Sequence, residues 1–464
     1  MARSYSNWVG KNGRTLLRIV GWPGSVGLIL IACMVGCQGI APSTPTPSPP
    51  PGIVVRAGEP GPRISPYVFG VNYGPWMVVP YELMPQAEAA GFTFMRFPGG
   101  NWGDQNNLTH YQIDAFIQLA QRLGATPSIS VRLRGGTPER AADLVRYTNR
   151  TRGYNVRFWS IGNEPSLYPD YDTQRFNTEW RAFAQAMREV DPTIQLIGPD
   201  IHQFTGTPAG DPKDKAGRDW LRTFLETNGD LVDVVSVHRY PFPTCLVCPP
   251  ATVEELRANT REWDTLIPAL RDAVRSITGR DLPIAVTEVN SHWNKVIGQE
   301  TTPDGFYNAI WWADVLGRLI RHQVDIVAYF ALQTPSGTGG WGLLARYDVR
   351  PTYYVYPLYR QFGQTPVPVE VTVPIGDLSA YAALRDDGAL TVMVVNLGDA
   401  THSVPLTVVD ASVAGPVQIW RLDRAHYAEQ VDALPYEPGM LLPLPGPSVS
   451  LLVIPLDSGP GVGR

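Results

Sequence analysis

From residue 66 the chain alternates between short runs of β-branched or aromatic residues and longer segments with helical periodicity, and this pattern occurs eight times. In the segments 111–123, 177–190 and 305–322, apolar residues recur every three or four positions, as a helix packed on a sheet requires. Eight strand–helix units over about 300 residues predict a closed (β/α)8 barrel rather than an open doubly wound sheet. The predicted barrel strands are 67–73, 92–97, 126–133, 156–162, 194–200, 232–240, 282–290 and 325–333.

After residue 364 the spacing of the apolar residues changes to a period of two. This pattern predicts an all-β sandwich over 365–457 and a tail at 458–464, which leaves 63–364 for the barrel. A lone strand within 53–62 precedes the barrel and is expected to join the sandwich. The predicted fold class is therefore α/β, a (β/α)8 barrel followed by a β-sandwich. The predicted sandwich segments are 369–376, 378–399 with a turn at 386–388, 403–410, 417–423 and 448–456.

The first 37 residues have the features of an export signal. Basic residues precede an apolar run at 24–35, which is short for a bilayer span but suits a secretory signal. The run ends in a segment that resembles a bacterial lipoprotein box, in which Cys37 is lipidated after cleavage. A plain signal peptide and an uncleaved anchor are the alternatives. The Pro-rich segment 38–52 predicts an extended linker. We expect an exported protein at the cell surface or in the periplasm, lipid-anchored or otherwise secreted.

Composition narrows the classes of partner. The chain has 38 Lys and Arg against 43 Asp and Glu and no Lys/Arg-rich run, which argues against nucleic acid as its main partner. Four cysteines in 464 residues exclude a disulfide-based scaffold. Cys245 and Cys248 are expected to form a local disulfide in an oxidising compartment, because two cysteines without nearby ligands are too few for a metal site.

Polar and ionisable side chains gather at the predicted carboxyl ends of the strands, where (β/α)8 barrels carry their chemistry. Glu164 follows the fourth strand and Glu288 ends the seventh, and these two strands face each other across the barrel mouth. Asp200 and His202 follow the fifth strand and either touch a ligand or cap a loop. We therefore expect the Glu164 and Glu288 side chains to converge on one ligand.

A pair of carboxyl groups that meet at one ligand is what glycoside hydrolysis requires. One group is protonated and donates to the leaving oxygen, and the other is ionised and attacks the anomeric carbon. Carboxyl groups about 5–5.5 Å apart lead to retention of the anomeric configuration, and groups about 6.5–9.5 Å apart lead to inversion. The other interpretation of Asn163-Glu164-Pro165 is the start of a helix with Asn163 as its N-cap.

Three motifs together resemble glycoside hydrolase clan A. They are Asn163–Pro165 after the fourth strand, His238-x-Tyr240 after the sixth and Glu288 at the end of the seventh. The resemblance covers the predicted barrel and the lone strand before it. Within the clan, the segments 64–72 and 95–101 are most similar to the α-L-arabinofuranosidases of family 51. Similar elements occur in neighbouring xylosidase, glucuronidase and endoglucanase families.

The resemblance implies a role for each matching residue. Glu164 is the general acid/base and Glu288 the nucleophile of a double displacement, while Asn163 hydrogen-bonds the sugar 2-hydroxyl. Tyr240 hydrogen-bonds the nucleophile, and Arg96 adds positive charge beside it. A drier position is expected to keep the pKa of Glu164 higher.

Further side chains are implied to contact the sugar. Asn101 and Gln333 match sugar-contacting positions at the second and eighth strands, and His238 supports the site. At the end of the first strand this chain has Asn72, where the family 51 enzymes place a substrate-gripping Glu. A neutral amide still binds hydroxyl groups. Trp341, in a glycine-rich loop, either closes over the site or packs.

Six tryptophans divide into two groups by position. Those that follow predicted strands can stack on sugar faces, and those within a helix are expected to pack. The first group is Trp76, Trp102, Trp293 and Trp341, and the second is Trp311 and Trp312.

The sequence thus predicts a retaining O-glycoside hydrolase with an oligo- or polysaccharide substrate, and arabinofuranosidase-like action on plant or microbial polysaccharide is the finer expectation. An endo-acting glycanase or a transglycosidase of the same clan is the first alternative. A non-catalytic surface lipoprotein that binds glycans is the second. No metal or organic cofactor is required, and contact with a membrane is expected only through a lipid anchor at Cys37.

Overall fold

The computed structural model describes residues 51–335 and 338–457. Within these ranges, no helix combines the length and apolar character needed to cross a membrane. The predictions that fall outside the described residues, and stay predictions, are the signal segment 1–37 with Cys37, most of the linker 38–52 and the tail 458–464.

Eight parallel strands close into a barrel and follow one another around it in chain order, which confirms the predicted fold class. Strand β1 (Ile53–Arg56) precedes the barrel and lies outside it. The barrel strands are apolar and buried on both faces, as parallel strands covered by helices are. They are β2 (Tyr67–Asn72), β3 (Phe94–Phe97), β4 (Thr126–Val131), β5 (Phe158–Ile161), β6 (Gln195–Ile201), β7 (Val234–Arg239), β8 (Ile284–Val289) and β9 (Ile326–Tyr329).

Helices connect the barrel strands, and side-chain caps fix where several of them begin. Thr109 forms a capping box with Gln112, so that helix begins at His110. Asp172 accepts a hydrogen bond from the Arg175 backbone N–H at 2.8 Å and starts the helix predicted at 177 four residues earlier. The helices are α1 (Met84–Ala90), α2 (Trp102–Gln105), α3 (His110–Arg122), α4 (Pro138–Val145), α5 (Thr173–Val190), α6 (Trp220–Asn228), α7 (Val253–Asn259), α8 (Trp263–Thr278), α9 (Phe306–Arg321) and α10 (Val355–Arg360).

The C-terminal strands form two sheets, as the alternating pattern predicts. One has the order β10-β12-β13-β18-β15-β16, and the other has the order β11-β1-β14-β17. In the second sheet β1 pairs antiparallel with β11 and parallel with β14, so the chain enters the barrel from this sheet. The strands are β10 (Thr365–Val367), β11 (Val369–Val371), β12 (Leu378–Leu384), β13 (Leu390–Asn396), β14 (His402–Val409), β15 (Val417–Leu422), β16 (Tyr427–Leu434), β17 (Met440–Leu444) and β18 (Ser448–Ile454).

The sandwich differs from the predicted segments in two respects. The segment 369–376 holds a strand only at Val369–Val371. Strands β10, β16 and β17 lie in stretches for which the apolar pattern predicts no strand. Strand β16 is an edge strand with exposed Glu429, Gln430 and Asp432, so it carries no buried face that the sequence could reveal.

Helix α9 joins the barrel to the six-stranded sheet. Its residues are buried around the whole circumference, including Trp311 and Trp312, so the expectation that these two tryptophans pack is confirmed. Tyr381 on β12 donates a hydrogen bond to the Asp314 carboxylate of α9 at 2.6 Å. The six-stranded sheet therefore packs on α9 and supports this part of the barrel wall.

Candidate active site

The side chains of Glu164 and Glu288 meet at the carboxyl end of the barrel. Glu164 follows β5 and Glu288 lies near the end of β8, the fourth and seventh barrel strands. One carboxylate oxygen of each and one ring nitrogen of His238 lie within 4.8 Å of one another. A cation could occupy this donor set only in competition with Arg96, whose guanidinium already pairs with Glu288 at 2.7 Å.

Both glutamates border a cavity of about 520 Å³, a size in the usual range for small-molecule sites. The cavity opens among the loops that follow the barrel strands, where such barrels carry their chemistry. Its wall is more aromatic than charged. The lining residues are Gly100, Asn101, Glu164, Leu167, His202, Gln203, Tyr240, Glu288, Trp293, Phe330 and Trp341.

Three hydrogen-bond donors fix the Glu288 carboxylate. Oε1 accepts from Arg96 Nη1 and from the Gly100 backbone N–H, both at 2.7 Å. Oε2 accepts from the Tyr240 hydroxyl, also at 2.7 Å. Burial and the charge of Glu288 raise the pKa of Tyr240 well above its usual value, so this residue stays a neutral donor. Glu288 is therefore held in one orientation toward the cavity.

Arg96 lies beneath the cavity and is fully buried. Its Nη2 donates to Asn163 Oδ1 at 2.8 Å and to Asp200 Oδ2 at 3.1 Å. Its Nη1 also donates to Asn72 Oδ1 at 3.1 Å. Burial lowers the pKa of Arg96, but the charges of Asp200 and Glu288 outweigh this effect and raise the net pKa. The guanidinium therefore keeps its charge. Arg96 thus links four side chains at the floor of the cavity, those of Asn72, Asn163, Asp200 and Glu288.

The backbone at Glu164 has an uncommon conformation. Glu164 has φ 46° and ψ 55°, in the left-handed region that few residues other than glycine adopt. Its N–H donates to the carbonyl of Asp200 at 3.0 Å. The short 3-10 helix that follows has Glu164 at its N-cap position and no side-chain cap, so Asn163 is not the N-cap of a helix. The surrounding contacts therefore hold a strained turn that places the carboxylate in the cavity.

The resting site does not give Glu164 the higher pKa that the sequence predicts. Burial raises the pKa of its carboxyl group. The hydrogen bond and charge of His238, together with the charges of His202 and Arg96, outweigh burial, so the net pKa of Glu164 is lowered. The His238 Nδ1 atom lies 3.1 Å from Glu164 Oε1. Burial lowers the pKa of His238, but the charges of Glu288 and Glu164 and the hydrogen bond to Glu164 outweigh burial, so this pKa is raised. Both shifts favour an ionised Glu164 beside a protonated His238, so the proton between the two side chains depends on both of them.

The predicted contact residues fall into two groups. Asn101, Tyr240 and Trp341 line the cavity. Asn72 is buried in its floor and turned away from the cavity, because its amide donates to the carbonyls of Thr287 and Ala328 and its oxygen accepts from Arg96. Asn72 is therefore a support of the floor and does not reach a sugar hydroxyl.

Gln333 also lies outside the cavity lining. Its Oε1 accepts from the Val78 backbone N–H at 3.3 Å, and the side chain is buried there. The Asn163 amide is also buried, and it donates to Asn101 Oδ1 at 3.0 Å. Gln333 thus supports the loop after β2, while Asn163 acts on the cavity edge through Asn101.

Two tryptophans of the cavity wall are held by hydrogen bonds. Trp341 Nε1 donates to the His292 carbonyl at 2.9 Å, and Trp293 Nε1 donates to the Pro243 carbonyl at 2.8 Å. Trp76 and Trp102 do not line the cavity and pack near each other, with ring centroids 6.5 Å apart. Trp341 is thus part of the wall in this structure.

Sequence reasoning did not assign four of the wall residues, and Gly100 is one of them. Leu167, Gln203 and Phe330 follow the ends of β5, β6 and β9. Their position after a strand is the signal that could have identified them. His202, for which the sequence leaves substrate contact and loop capping open, lines the cavity with its Nδ1 2.6 Å from the Ser166 hydroxyl.

Asp104 is a buried carboxylate behind this wall. It accepts a short hydrogen bond from the Tyr168 hydroxyl, which in turn accepts from the Asn163 backbone N–H at 3.2 Å. Burial raises the pKa of Asp104 to about 7, although the hydrogen bond from Tyr168 and the charge of Arg96 oppose the rise. Asp104 therefore titrates near neutral pH and supports the turn that carries Glu164.

We expect Asp104→Asn to stabilise the fold above pH 7 and to leave it unchanged near pH 4. Between about pH 4 and pH 7 the folded chain binds a proton at Asp104 that the unfolded chain has released, so this group's contribution to the free energy of unfolding falls as pH rises. Asparagine keeps an acceptor for Tyr168 and cannot ionise. Thermal unfolding across this range should show a gain of about 1–2 kcal/mol on the alkaline side. A difference between the two proteins that is constant with pH would contradict this account.

Cys245 and Cys248 are joined by a disulfide in the loop after β7. The neighbouring Pro243 carbonyl accepts the hydrogen bond of Trp293, a residue of the cavity wall. The disulfide loop is thus connected to the site through this contact.

Sequence comparison finds distant relatives of this chain. An intracellular exo-α-(1→5)-L-arabinofuranosidase of Streptomyces lividans is 24% identical over 210 residues, which cover 35% of this chain and 30% of the relative. A β-xylosidase of Geobacillus stearothermophilus is 25% identical over 270 residues, 52% of this chain and 47% of the relative. The heparanase of Rattus norvegicus is 22% identical over 276 residues, 57% of this chain and 48% of the relative. The chain thus spans less than half the length of each of these relatives. No protein-family model matches it.

Solved structures share the fold over most of the chain. CelM2, a bifunctional glucanase-xylanase from a metagenome library, superimposes with a TM-score of 0.68 at 20% identity, covering 88% of this chain and 100% of that protein. An α-L-arabinofuranosidase from Thermotoga maritima gives a TM-score of 0.66 at 19% identity, covering 87% and 99%. The resemblance to clan A glycoside hydrolases and the barrel fold that it implies are confirmed.

Proposed function

We propose that this protein, whose barrel resembles those of clan A, is a retaining O-glycoside hydrolase that acts by double displacement. The observation that carries the proposal is the meeting of the Glu164 and Glu288 carboxylates at one cavity, with an oxygen of each within 4.8 Å of the other. Retaining enzymes place their carboxyl groups about 5–5.5 Å apart, whereas inverting enzymes leave about 6.5–9.5 Å for a water molecule. The approach of one oxygen of each group to within 4.8 Å agrees with the shorter of these two spacings.

The reaction has two steps. In the first, a Glu288 oxygen attacks the anomeric carbon, the bond to the leaving oxygen breaks, and Glu164 gives that oxygen a proton. This step leaves a glycosyl ester on Glu288. In the second, Glu164 takes a proton from water while the water oxygen attacks the anomeric carbon and releases Glu288. Both carboxyl groups return to their starting states.

The contacts around the pair fit these roles. Arg96, Gly100 and Tyr240 hold both oxygens of Glu288, so the attacking group does not rotate away from the sugar. Asn101 lines the cavity and accepts a hydrogen bond from Asn163. We assign to this amide pair the contact with the sugar 2-hydroxyl, which strengthens in the transition state.

The lining of the cavity supports a neutral sugar. None of the described residues that line it is a lysine or an arginine, and the walls are formed largely by tryptophan, phenylalanine and tyrosine rings, which suit sugar faces. Arg96 is buried and engaged with carboxylates, so it is not free to bind a uronic acid. The names of the arabinofuranosidase and xylosidase relatives agree with a neutral pentose, and an arabinofuranosidase-like activity is our first proposal.

A second candidate is an endo-acting glycanase of the same clan. Asn72 occupies the strand end where the family 51 enzymes place a carboxylate, and its amide is engaged by Thr287 and Arg96 within the floor. The aromatic wall of Trp293, Phe330 and Trp341 suits a chain of sugars. A glucanase-xylanase also shares the fold.

A panel of aryl glycosides tests the proposal and divides the candidates. It contains an arabinofuranoside, a xyloside, a glucoside, a galactoside and a glucuronide, together with the polymers arabinan, xylan and β-glucan. We expect turnover of a neutral substrate and none of the glucuronide. Release of single sugars indicates exo action, release of oligosaccharides indicates endo action, and transfer to an added alcohol indicates transglycosylation. Binding of glycans without cleavage of any of them would contradict the proposal.

A further inference from the structure

A third carboxylate, that of Asp200, lies beneath the Glu164–Glu288 pair and has no role in the double displacement as described. Asp200 belongs to β6 and is fully buried. Its backbone also has a left-handed conformation, with φ 53°. A buried carboxylate and a strained backbone at one residue both cost folding free energy, and such strain is typical of functional sites.

The contacts of Asp200 reach every strand that carries a reacting group. Oδ2 accepts from Arg96 at 3.1 Å, and Oδ1 accepts from the Thr287 hydroxyl, next to Glu288, at 2.6 Å. Its carbonyl accepts the N–H of Glu164 at 3.0 Å. Arg96 shares its charge between Asp200 and Glu288, so Asp200 keeps both its negative charge and its capacity to accept hydrogen bonds from other neighbours.

The remaining neighbour is His238. Its Nδ1 faces Glu164 Oε1 at 3.1 Å, and its Nε2 faces Asp200 Oδ1 at 3.8 Å. His238 is fully buried, and within the described ranges its Nε2 has no hydrogen-bond partner. Asp200 Oδ1 accepts from the Thr287 hydroxyl, and a carboxylate oxygen can accept more than one hydrogen bond. An approach of about 1 Å, of the kind that catalytic sites make when substrate binds, completes this bond.

The identity of the atom opposite Nε2 decides where His238 carries its hydrogen. A bare Nε2 opposite a carboxylate would bring two acceptors together, so the hydrogen belongs on Nε2. The proton between Nδ1 and Glu164 is then an additional one that the two side chains share. Without Asp200, a neutral His238 can place its single hydrogen on Nδ1 and donate it to an ionised Glu164. That arrangement holds one proton fewer.

We propose that Asp200 is a positioning residue that keeps a hydrogen on His238 Nε2, so that the Glu164–His238 pair holds the proton that is passed to the leaving oxygen. The inference rests on the proposed glycosidase function. The bonds made and broken are those of the first step, and water restores the proton in the second step. The titratable or charged groups that face Asp200, His238 or Glu164 are Arg96 on β3, Asp104 on α2, His202 after β6, Tyr240 after β7 and Glu288 on β8.

Asp200→Asn tests the inference, because an amide that presents its NH2 group to Nε2 donates where the carboxylate accepts. For this variant we expect kcat/KM on a phenyl glycoside to fall about 100-fold, and kcat/KM on the 2,4-dinitrophenyl glycoside to fall about threefold or less. The alkaline limb of the pH profile should move about one unit toward acid. In a His238→Gln background, Asp200→Asn should add little, since it acts through His238.

Asp191→Asn is the matched control. Asp191 is also buried, pairs with Arg150 at 3.2 Å and accepts from the Thr193 hydroxyl at 2.7 Å, but it lies after α5, outside the candidate site. We expect Asp191→Asn to lower the unfolding temperature without changing the ratio of kcat/KM between the two substrates. A similar loss on both substrates for Asp200→Asn, with an unmoved pH profile, would overturn the inference and leave Asp200 as a structural residue.

The protonation of His238 can also be measured without turnover. Nitrogen-15 NMR of histidine-labelled wild type distinguishes Nδ1–H from Nε2–H, and His238→Gln identifies the signal among the 7 histidines. We expect Nε2 to be protonated at about pH 8, and to lose its hydrogen in Asp200→Asn. A bare Nε2 in the wild type would overturn the inference even if the protein is an active glycosidase. Failure of the whole substrate panel would instead refute the proposed function.

Discussion

Glu288→Ala is expected to reduce kcat by about 10⁵-fold on every substrate that the wild type cleaves. Alanine removes the oxygen that attacks the anomeric carbon, and no other described carboxylate occupies its place. The loss should be the same for good and poor leaving groups, because neither can form the glycosyl ester. Initial rates on the aryl glycosides, with protein freed of any wild-type contamination, provide the measurement.

The variant needs a control for folding, since Arg96 and Tyr240 lose a partner at 2.7 Å. Glu226→Ala removes an exposed carboxylate of α6 that pairs with Arg222 on the same helix, and it should retain full activity. Binding of a substrate to Glu288→Ala, measured by calorimetry, checks that the cavity is intact. Residual activity above about 1% of wild type in a folded Glu288→Ala protein would contradict the role of Glu288 as nucleophile.

Glu164→Ala is expected to show a loss that depends on the leaving group. On a phenyl glycoside, kcat/KM should fall about 10³-fold, because the poor leaving group needs the donated proton. On the 2,4-dinitrophenyl glycoside, whose leaving group departs as an anion, kcat/KM should fall about tenfold or less. The slope of log kcat/KM against the pKa of the leaving phenol measures this difference.

Added azide separates the acid role of Glu164 from its base role. Azide attacks the glycosyl ester without help from a base, so it should restore kcat of Glu164→Ala on the activated substrate and yield a glycosyl azide. The wild type should not respond, because its Glu164 carboxylate lies beside the attacked carbon. Equal losses on both substrates, or no effect of azide, would contradict the assignment of Glu164.

The barrel and the carboxylate pair could be predicted because both follow from regular patterns. Helical periodicity alternating with short buried strands determines the order of elements, and strand order then places the residues that follow β5 and β8 across one opening. The predicted strand 282–290 agrees with β8 (Ile284–Val289) to within two residues at each end. The placement of Glu164 and Glu288 at one opening of the barrel can therefore be predicted from the sequence.

The details of the floor could not be predicted, because they depend on irregular backbone. At the end of β6 the pairing with β7 shifts between Pro199 and Ile201, where Asp200 adopts its left-handed conformation. This shift turns Asp200 beneath the cavity and His202 into its wall, which no alternation rule anticipates. Asn72 is a similar case, since residue type does not reveal whether a side chain at a strand end points above or below the floor.

The pKa of Glu164 could not be predicted for a related reason. A buried position suggests a raised pKa, and burial does act in that direction. The net direction is set by the 3.1 Å contact with His238, a residue 74 positions later in the chain. Sequence places both residues at the barrel mouth but does not give the distance between their side chains.

The most direct test of the central claim is to trap the intermediate of the first step. A 2-deoxy-2-fluoro glycoside of the preferred sugar, with a good leaving group, slows the release of the ester, so the modified protein can be digested and its peptides weighed. We predict one added sugar per chain, on the peptide that contains Glu288, with the label absent from Glu288→Ala. A label on any other residue, or a product of inverted configuration, would contradict the account.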